Sequence, residues 1–202
     1  MYFGAQISLY PMTDNFVGVI TSALGALDPY RDQLRIESDD LSTLLVGPPE
    51  AVFPAMRDLF AVAAKTGVHS TLSATISRGC PGEPHDSRCE SPLLDGPTAP
   101  LAERQAGALA SVAAAPDLGV DIAAQFSLYV MGTDDHMDEI YGCIEFLKQS
   151  GVLDRPKNFC TRLGGDAGAV FAALEAAICS FGPPQGHVTI DLTASANSPT
   201  PR

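Results

Sequence analysis

No stretch of these 202 residues is both long enough and free enough of charge to cross a bilayer, so the sequence offers no candidate membrane span. Its start, MYFGAQISLY, has no basic region followed by an apolar run and a small-residue cleavage site, and is not expected to act as a signal peptide. Basic residues are scarce: 12 Lys and Arg stand against 24 Asp and Glu, a net charge of −12. That balance argues against nucleic acid and anionic membranes, which attract basic patches, and only weakly favours a cationic small ligand. The five cysteines show neither CxxC spacing nor a disulfide framework, and Cys143 and Cys179 fall in helix-like apolar patterns where a free thiol packs as a small hydrophobe. A soluble, cytoplasmic protein with reduced thiols is expected.

Catalytic and metal-binding patterns are missing as well. His69 and His187 begin two matching segments, but neither has a second ligand at fixed spacing, so both are expected to be structural and no metal site is expected. Asp39 and Asp40 are adjacent, which on an extended segment points them apart and suits a turn better than an acid/base couple. Gly79-Cys80-Pro81-Gly82 has no partner histidine at readable spacing, and Gly164-Gly165-Asp166 is explained by helix capping. No set of nucleophile, base and orienting group emerges. The chain reads as a binder, with no catalytic residue and no cofactor.

What is present is a repeat. Shifted by about 118 residues, the chain matches itself. Gln6-Ile7-Ser8-Leu9-Tyr10 lies over Gln125-Phe126-Ser127-Leu128-Tyr129, and Val52, Phe53, Met56 and Phe60 lie over Val170, Phe171, Leu174 and Ile178. His69, Thr71, Ser73, Thr75 and Ser77 lie over His187, Thr189, Asp191, Thr193 and Ser195. In the first copy AQISLY alternates like a half-buried strand, and Thr13 or Asp14 can cap a helix with Phe16, Val19, Ile20, Ala23, Leu24 and Leu27 at helical spacing. LRIESDDLSTLLVG gives two short strands about a turn. Pro48-Pro49-Glu50 then opens a second helix, and 69–77 is a last strand. In the second copy Met137, Ile140, Tyr141, Ile144 and Leu147 mark one helix, and the proline within 152–159 predicts a short, irregular edge strand. The order βαββαβ, twice, is the ferredoxin-like unit. The expected organisation is a first repeat at 1–78, a Pro- and Gly-rich connector at 79–120 with a helix over 101–114, and a second repeat at 121–202.

In this α+β fold both helices cover one side of an antiparallel sheet. Leu72, Ala74 and Ile76, with Val188, Ile190, Leu192 and Ala194, are assigned to that side. The other side then carries Gln6, Ser8, Tyr10, Thr71, Ser73, Thr75 and Ser77, and in the second copy Gln125, Ser127, Tyr129, Thr189, Asp191, Thr193 and Ser195. Such a plane of hydroxyls and amides with a tyrosine can read a heterocycle. On the alternation alone a wet sheet face, or a face where two sheets pack, is the more ordinary reading, and the recurrence of the hydroxyls in both copies favours a ligand.

SLYPMTDNF, DDLST and HSTLSATISRGCPGE, followed by FSLYVMG and HVTIDLTASANSP, resemble the YkoF family of thiamin/hydroxymethylpyrimidine-binding proteins over nearly the whole chain. The resemblance implies tandem ACT-like, ferredoxin-like repeats and a homodimer formed through sheet faces. It also implies binding of thiamin by its pyrimidine, without catalysis, in support of uptake or salvage beside a membrane transporter. The positions that match the family pattern are Tyr10, Asp40, Ser42, Thr43, Thr75 and Ser77, then Tyr129, Thr161, Thr193, Ser195 and Asn197. DDLST becomes NFCTR in the second repeat, with Asn158 for Asp40 and Cys160 for Ser42, so the two sites are expected to differ. The alternative reading is an ACT-like regulatory or dimerisation module for another metabolite.

Overall fold

The computed structural model describes residues 2–80, 96–131, 136–184 and 186–200. The first repeat runs β1 (Tyr2–Pro11), α1 (Phe16–Gly25), β2 (Arg35–Ser38), β3 (Thr43–Val46), α2 (Pro49–Ala64) and β4 (Ser70–Cys80). After α3 (Leu101–Ala113), the second runs β5 (Asp121–Met131), α4 (His136–Ser150), β6 (Leu153–Pro156), β7 (Thr161–Asp166), α5 (Ala167–Ser180) and β8 (His187–Ala196). Each is a βαββαβ unit with helices on one face of antiparallel strands. Of Gly79-Cys80-Pro81-Gly82, the last two lie outside the described residues.

The length of the connector left open whether the copies would touch. They share one eight-stranded sheet in the order β2-β3-β1-β4-β8-β5-β7-β6. The join is the antiparallel pair of last strands, β4 and β8, matched from Ser70↔Ala196 to Arg78↔Val188. Thr71 therefore faces Ser195, Ser73 faces Thr193, Thr75 faces Asp191 and Ser77 faces Thr189. The hydroxyls that recur in both copies are cross-strand neighbours at this seam, a pairing that stabilises adjacent strands.

Alternation puts Ile7, Leu72, Ala74, Ile76, Ile122, Ala124, Ile190, Leu192 and Ala194 under the helices, all buried. Val52, Phe53, Met56 and Phe60 of α2 and Val170, Phe171 and Leu174 of α5 cover them. The Phe60 and Phe171 rings meet across the repeats at 6.4 Å between centroids, a favourable tilted contact. Each such fully buried side chain contributes roughly 1.5–3 kcal/mol.

The helix α3 enters the same layer against α4 and α5. Arg104 grips Glu139 with two hydrogen bonds of 2.8 and 2.9 Å and also donates to the Ser180 carbonyl at 2.7 Å. Asp166 accepts from Gly168 N–H as the N-cap of α5 and also takes the N–H groups of Leu118 and Val120. The glycine at 168 is required, because a Cβ there would collide with the Pro116 carbonyl. Capping is thus the role of Asp166, as its place before a helix suggests.

Two local readings differ from the sequence expectation. Asn15, not Thr13 or Asp14, precedes α1 and makes no side-chain cap bond, while Thr13 Oγ1 accepts the Asn15 N–H at 3.3 Å. On α4 the buried side chains are Cys143, Phe146 and Leu147, while Met137 and Tyr141 are exposed. The edge strand β6 is short, with a register shift between Leu153 and Arg155, and it stops at Pro156.

Candidate ligand-binding site

The first repeat contains a cleft that follows from a mismatch of strand lengths. The β1–β3 ladder ends at Ile7↔Thr43, yet β1 continues to Pro11. Along Ser8–Pro11 the edge of β1 away from β4 therefore has no strand neighbour among the described residues, and backbone polar groups there need other partners. The β2–β3 turn folds toward this edge. Ser8 Oγ donates to the Leu41 carbonyl at 2.9 Å, and Gln6 Nε2 donates to Ser42 Oγ at 2.6 Å. Asp39 sets the shape of the turn by accepting the N–H groups of Leu41 and Ser42 at 2.9 and 2.8 Å. Those bonds hold its carboxyl below the usual range, so the turn carries negative charge at neutral pH.

The opposite wall is α1. Phe16 is 52% exposed and lines the cleft with Ile20 and Leu24, of which Leu24 also packs against the core. The volume is about 440 Å³, within the range of small-molecule sites. Tyr10, Asp40, Ser42 and Thr43 all line it, and Thr43 Oγ1 lies 2.8 Å from Ser38 Oγ. Two aromatic rings, two carboxylates and four serine and threonine hydroxyls thus surround an apolar slot. Such a set can stack on a flat heterocycle, satisfy its ring nitrogens and amine, and attract positive charge.

Thr75 and Ser77 are not brought to this cleft. They sit on the seam with β8, where Ser77 Oγ lies 2.8 Å from His187 Nε2.

The second repeat repeats the construction. The β5–β7 ladder ends at Phe126↔Thr161 while β5 runs on to Met131. Ser127 Oγ donates to the Phe159 carbonyl at 2.9 Å, as Ser8 does to Leu41. Tyr129 is half exposed beyond the ladder, and Thr161 pairs with Phe126 as Thr43 does with Ile7. The charge is reversed, however. Lys157 stands where the first turn has Asp39, and its ammonium donates to Gln125 Oε1 at 2.7 Å. Thr193, Ser195 and Asn197 lie apart from Tyr129 and Thr161, toward the far end of β8, and line a different cleft. Asn197 itself donates to the carbonyls of Ala64 and Val68 at 2.7 and 3.1 Å.

Sequence reasoning missed Phe16, Ile20 and Leu24 as site residues. They recur at helical spacing, and a cleft wall produces the same spacing as a core face. Among the described residues, no three His, Cys, Asp or Glu side chains converge in a way that could hold a metal ion.

A sequence model described as the YKOF-related family matches residues 2–83 and 121–201, one stretch in each repeat. A curated relative from Bacillus subtilis (strain 168), named "Putative HMP/thiamine-binding protein YkoF", is 32% identical over 197 residues, covering 98% of this chain and 91% of its own length. With both repeats matched in order, the chain belongs to the YkoF-related family.

Proposed function

We propose that the protein binds thiamin or its hydroxymethylpyrimidine moiety without converting it, the first-repeat cleft being the principal site. The observation that carries this reading is the meeting of Tyr10 and the Asp39–Thr43 turn with the apolar wall of α1 around about 440 Å³. An aminopyrimidine offers one amine donor and two ring acceptors, a match for hydroxyls and carboxylates. Each such hydrogen bond contributes on the order of 1 kcal/mol net, so a few of them with ring stacking support micromolar affinity, roughly −8 kcal/mol. The cationic thiazolium would lie near Asp39 and Asp40. The relative's printed name points to the same ligands.

Lys157 and Asn158 replace that acidic pair in the second repeat, so its site should hold a cation more weakly. We place the protein in the cytoplasm, in thiamin-precursor uptake or salvage beside a membrane transporter. The helix-free sheet face is the surface through which we expect a homodimer to form. Calorimetric titration with thiamin and with hydroxymethylpyrimidine tests the reading, and no heat and no thermal shift with either ligand would end it. The alternative, an ACT-like module for another metabolite, keeps the same cleft and would show as binding by neither probe but a shift with a different heterocycle.

A further inference from the structure

The helix layer, on the side of the sheet away from the face assigned to a homodimer, holds a cleft of about 270 Å³ where α5 runs between α2 and α3. That volume is near the lower end of small-molecule sites. Ala172 and Ala176, four residues apart on α5, put small side chains along one strip of the helix and leave a slot beside its neighbours. Phe53 and Phe171, both buried, and Pro54 give the slot an apolar lining.

One acidic group meets this lining without a partner. Glu175 lines the cleft, is partly buried, and makes no hydrogen bond or ion pair among the described residues. Arg57 of α2 lines the cleft too, but turns to Asp58, which accepts its Nε–H at 2.7 Å and also accepts from the Tyr30 hydroxyl. Burial, with Glu50 of α2 nearby, pushes the Glu175 pKa up to about 7, and the charge of Arg57 offsets this only in part. Cys179, the next titratable group along α5, stays a neutral thiol, since burial pushes its pKa up to about 12. From α3 comes Ser111, whose hydroxyl donates to the Gly107 carbonyl and keeps its lone pairs for an incoming donor. A carboxyl unpaired in an apolar slot is costly to ionise unless a cation enters with it.

We propose that this cleft binds a small primary ammonium compound with a short apolar body, either an aliphatic amine or an apolar amino acid. The ammonium offers three donors, a match for the Glu175 carboxylate and the Ser111 hydroxyl, while the apolar body covers the phenylalanine lining. Arg57 is the group available to the carboxylate of an amino acid. The site is separate from the Tyr10 cleft and does not depend on what that cleft binds.

The test is calorimetric titration of the full chain with isoamylamine and with L-leucine at pH 6 and pH 8, at constant ionic strength. Affinity should rise up to roughly tenfold between the two, because Glu175 gives up its proton to meet the cation. Glu175→Gln should weaken binding at pH 8 roughly tenfold, the loss of a charge-assisted hydrogen bond, and should abolish the rise with pH. Glu145→Gln removes a carboxylate from an exposed position on α4 and should change neither. Thiamin affinity should be the same in Glu175→Gln as in wild type. Tighter binding of leucine than of isoamylamine, with that margin lost in Arg57→Gln, would assign the site to amino acids, and the reverse order would assign it to simple amines. No binding of either compound at pH 8, a wild-type affinity that does not change with pH, or equal weakening by Glu145→Gln would overturn the proposal.

Discussion

Ser77 and His187 are 110 residues apart in the chain, yet Ser77 Oγ lies 2.8 Å from His187 Nε2, and the counterpart pair, His69 and Ser195, closes the other end of the seam at 3.1 Å. Each repeat gives a histidine at the start of its last strand and a serine near that strand's end. Antiparallel pairing of β4 with β8 then clasps each histidine onto the other repeat's serine.

Ser77→Ala should therefore cost about 0.5–1.5 kcal/mol of stability, measured by chemical denaturation. Burial lowers the pKa of His187 from its ordinary 6.5. The folded state then binds fewer protons than the unfolded state, so stability falls as pH drops below 6.5 through the lowered value. Relative to His187→Gln, wild-type Tm should fall as pH drops below 6.5, since the variant lacks this one titration.

Arg104 and Glu139 fasten the connector helix to α4, with Glu139 also accepting the Gly182 N–H at 2.7 Å. Glu139→Gln should cost about 2 kcal/mol at pH 7, because a largely buried guanidinium loses its counter-charge. Hydrogen bonding from Arg104 lowers the Glu139 pKa from 4.5, so this stabilisation is full above 4.5 and is lost as pH falls through the depressed value. Melting temperatures of wild type and variant should converge in that range.

Glu175 behaves in the opposite way. It lies between α2 and α5 near Arg57 and Cys179, and burial, with Glu50 nearby, pushes its pKa from 4.5 to about 7. The folded state holds the proton longer, so stability is lost as pH rises from 4.5 through about 7. Glu175→Gln should melt higher than wild type at pH 8, on the order of 2 °C, with the difference vanishing near pH 4.5.

Thiamin titrations should separate two unequal sites. Asp40→Asn and Thr43→Ala should each weaken the tighter one roughly fivefold to tenfold, the worth of one hydrogen bond or charge contact. Lys157→Asp should strengthen the weaker one. Thr75→Ala and Ser77→Ala should leave ligand affinity unchanged and act on the seam; a loss of affinity in either would put the pyrimidine on the open face instead.

The repeat, the order of elements and the two faces of each strand are legible in the local pattern of residues. Those properties depend on neighbours two to four residues away: Ile76 and Ile190 are buried and Thr75 and Asp191 exposed, as alternation requires. The residues of the DDLST turn were legible for the same reason, being local. That the last strands pair, with the doubled serines and threonines along their seam, came from long-range packing. It also decided that β1 outruns β3, which opens a cleft and gives it Phe16 and Ile20 as a wall, with Leu24 shared between cleft and core. Strand partnership and side-chain exposure are set by contacts between residues remote in the chain, and no local period encodes them.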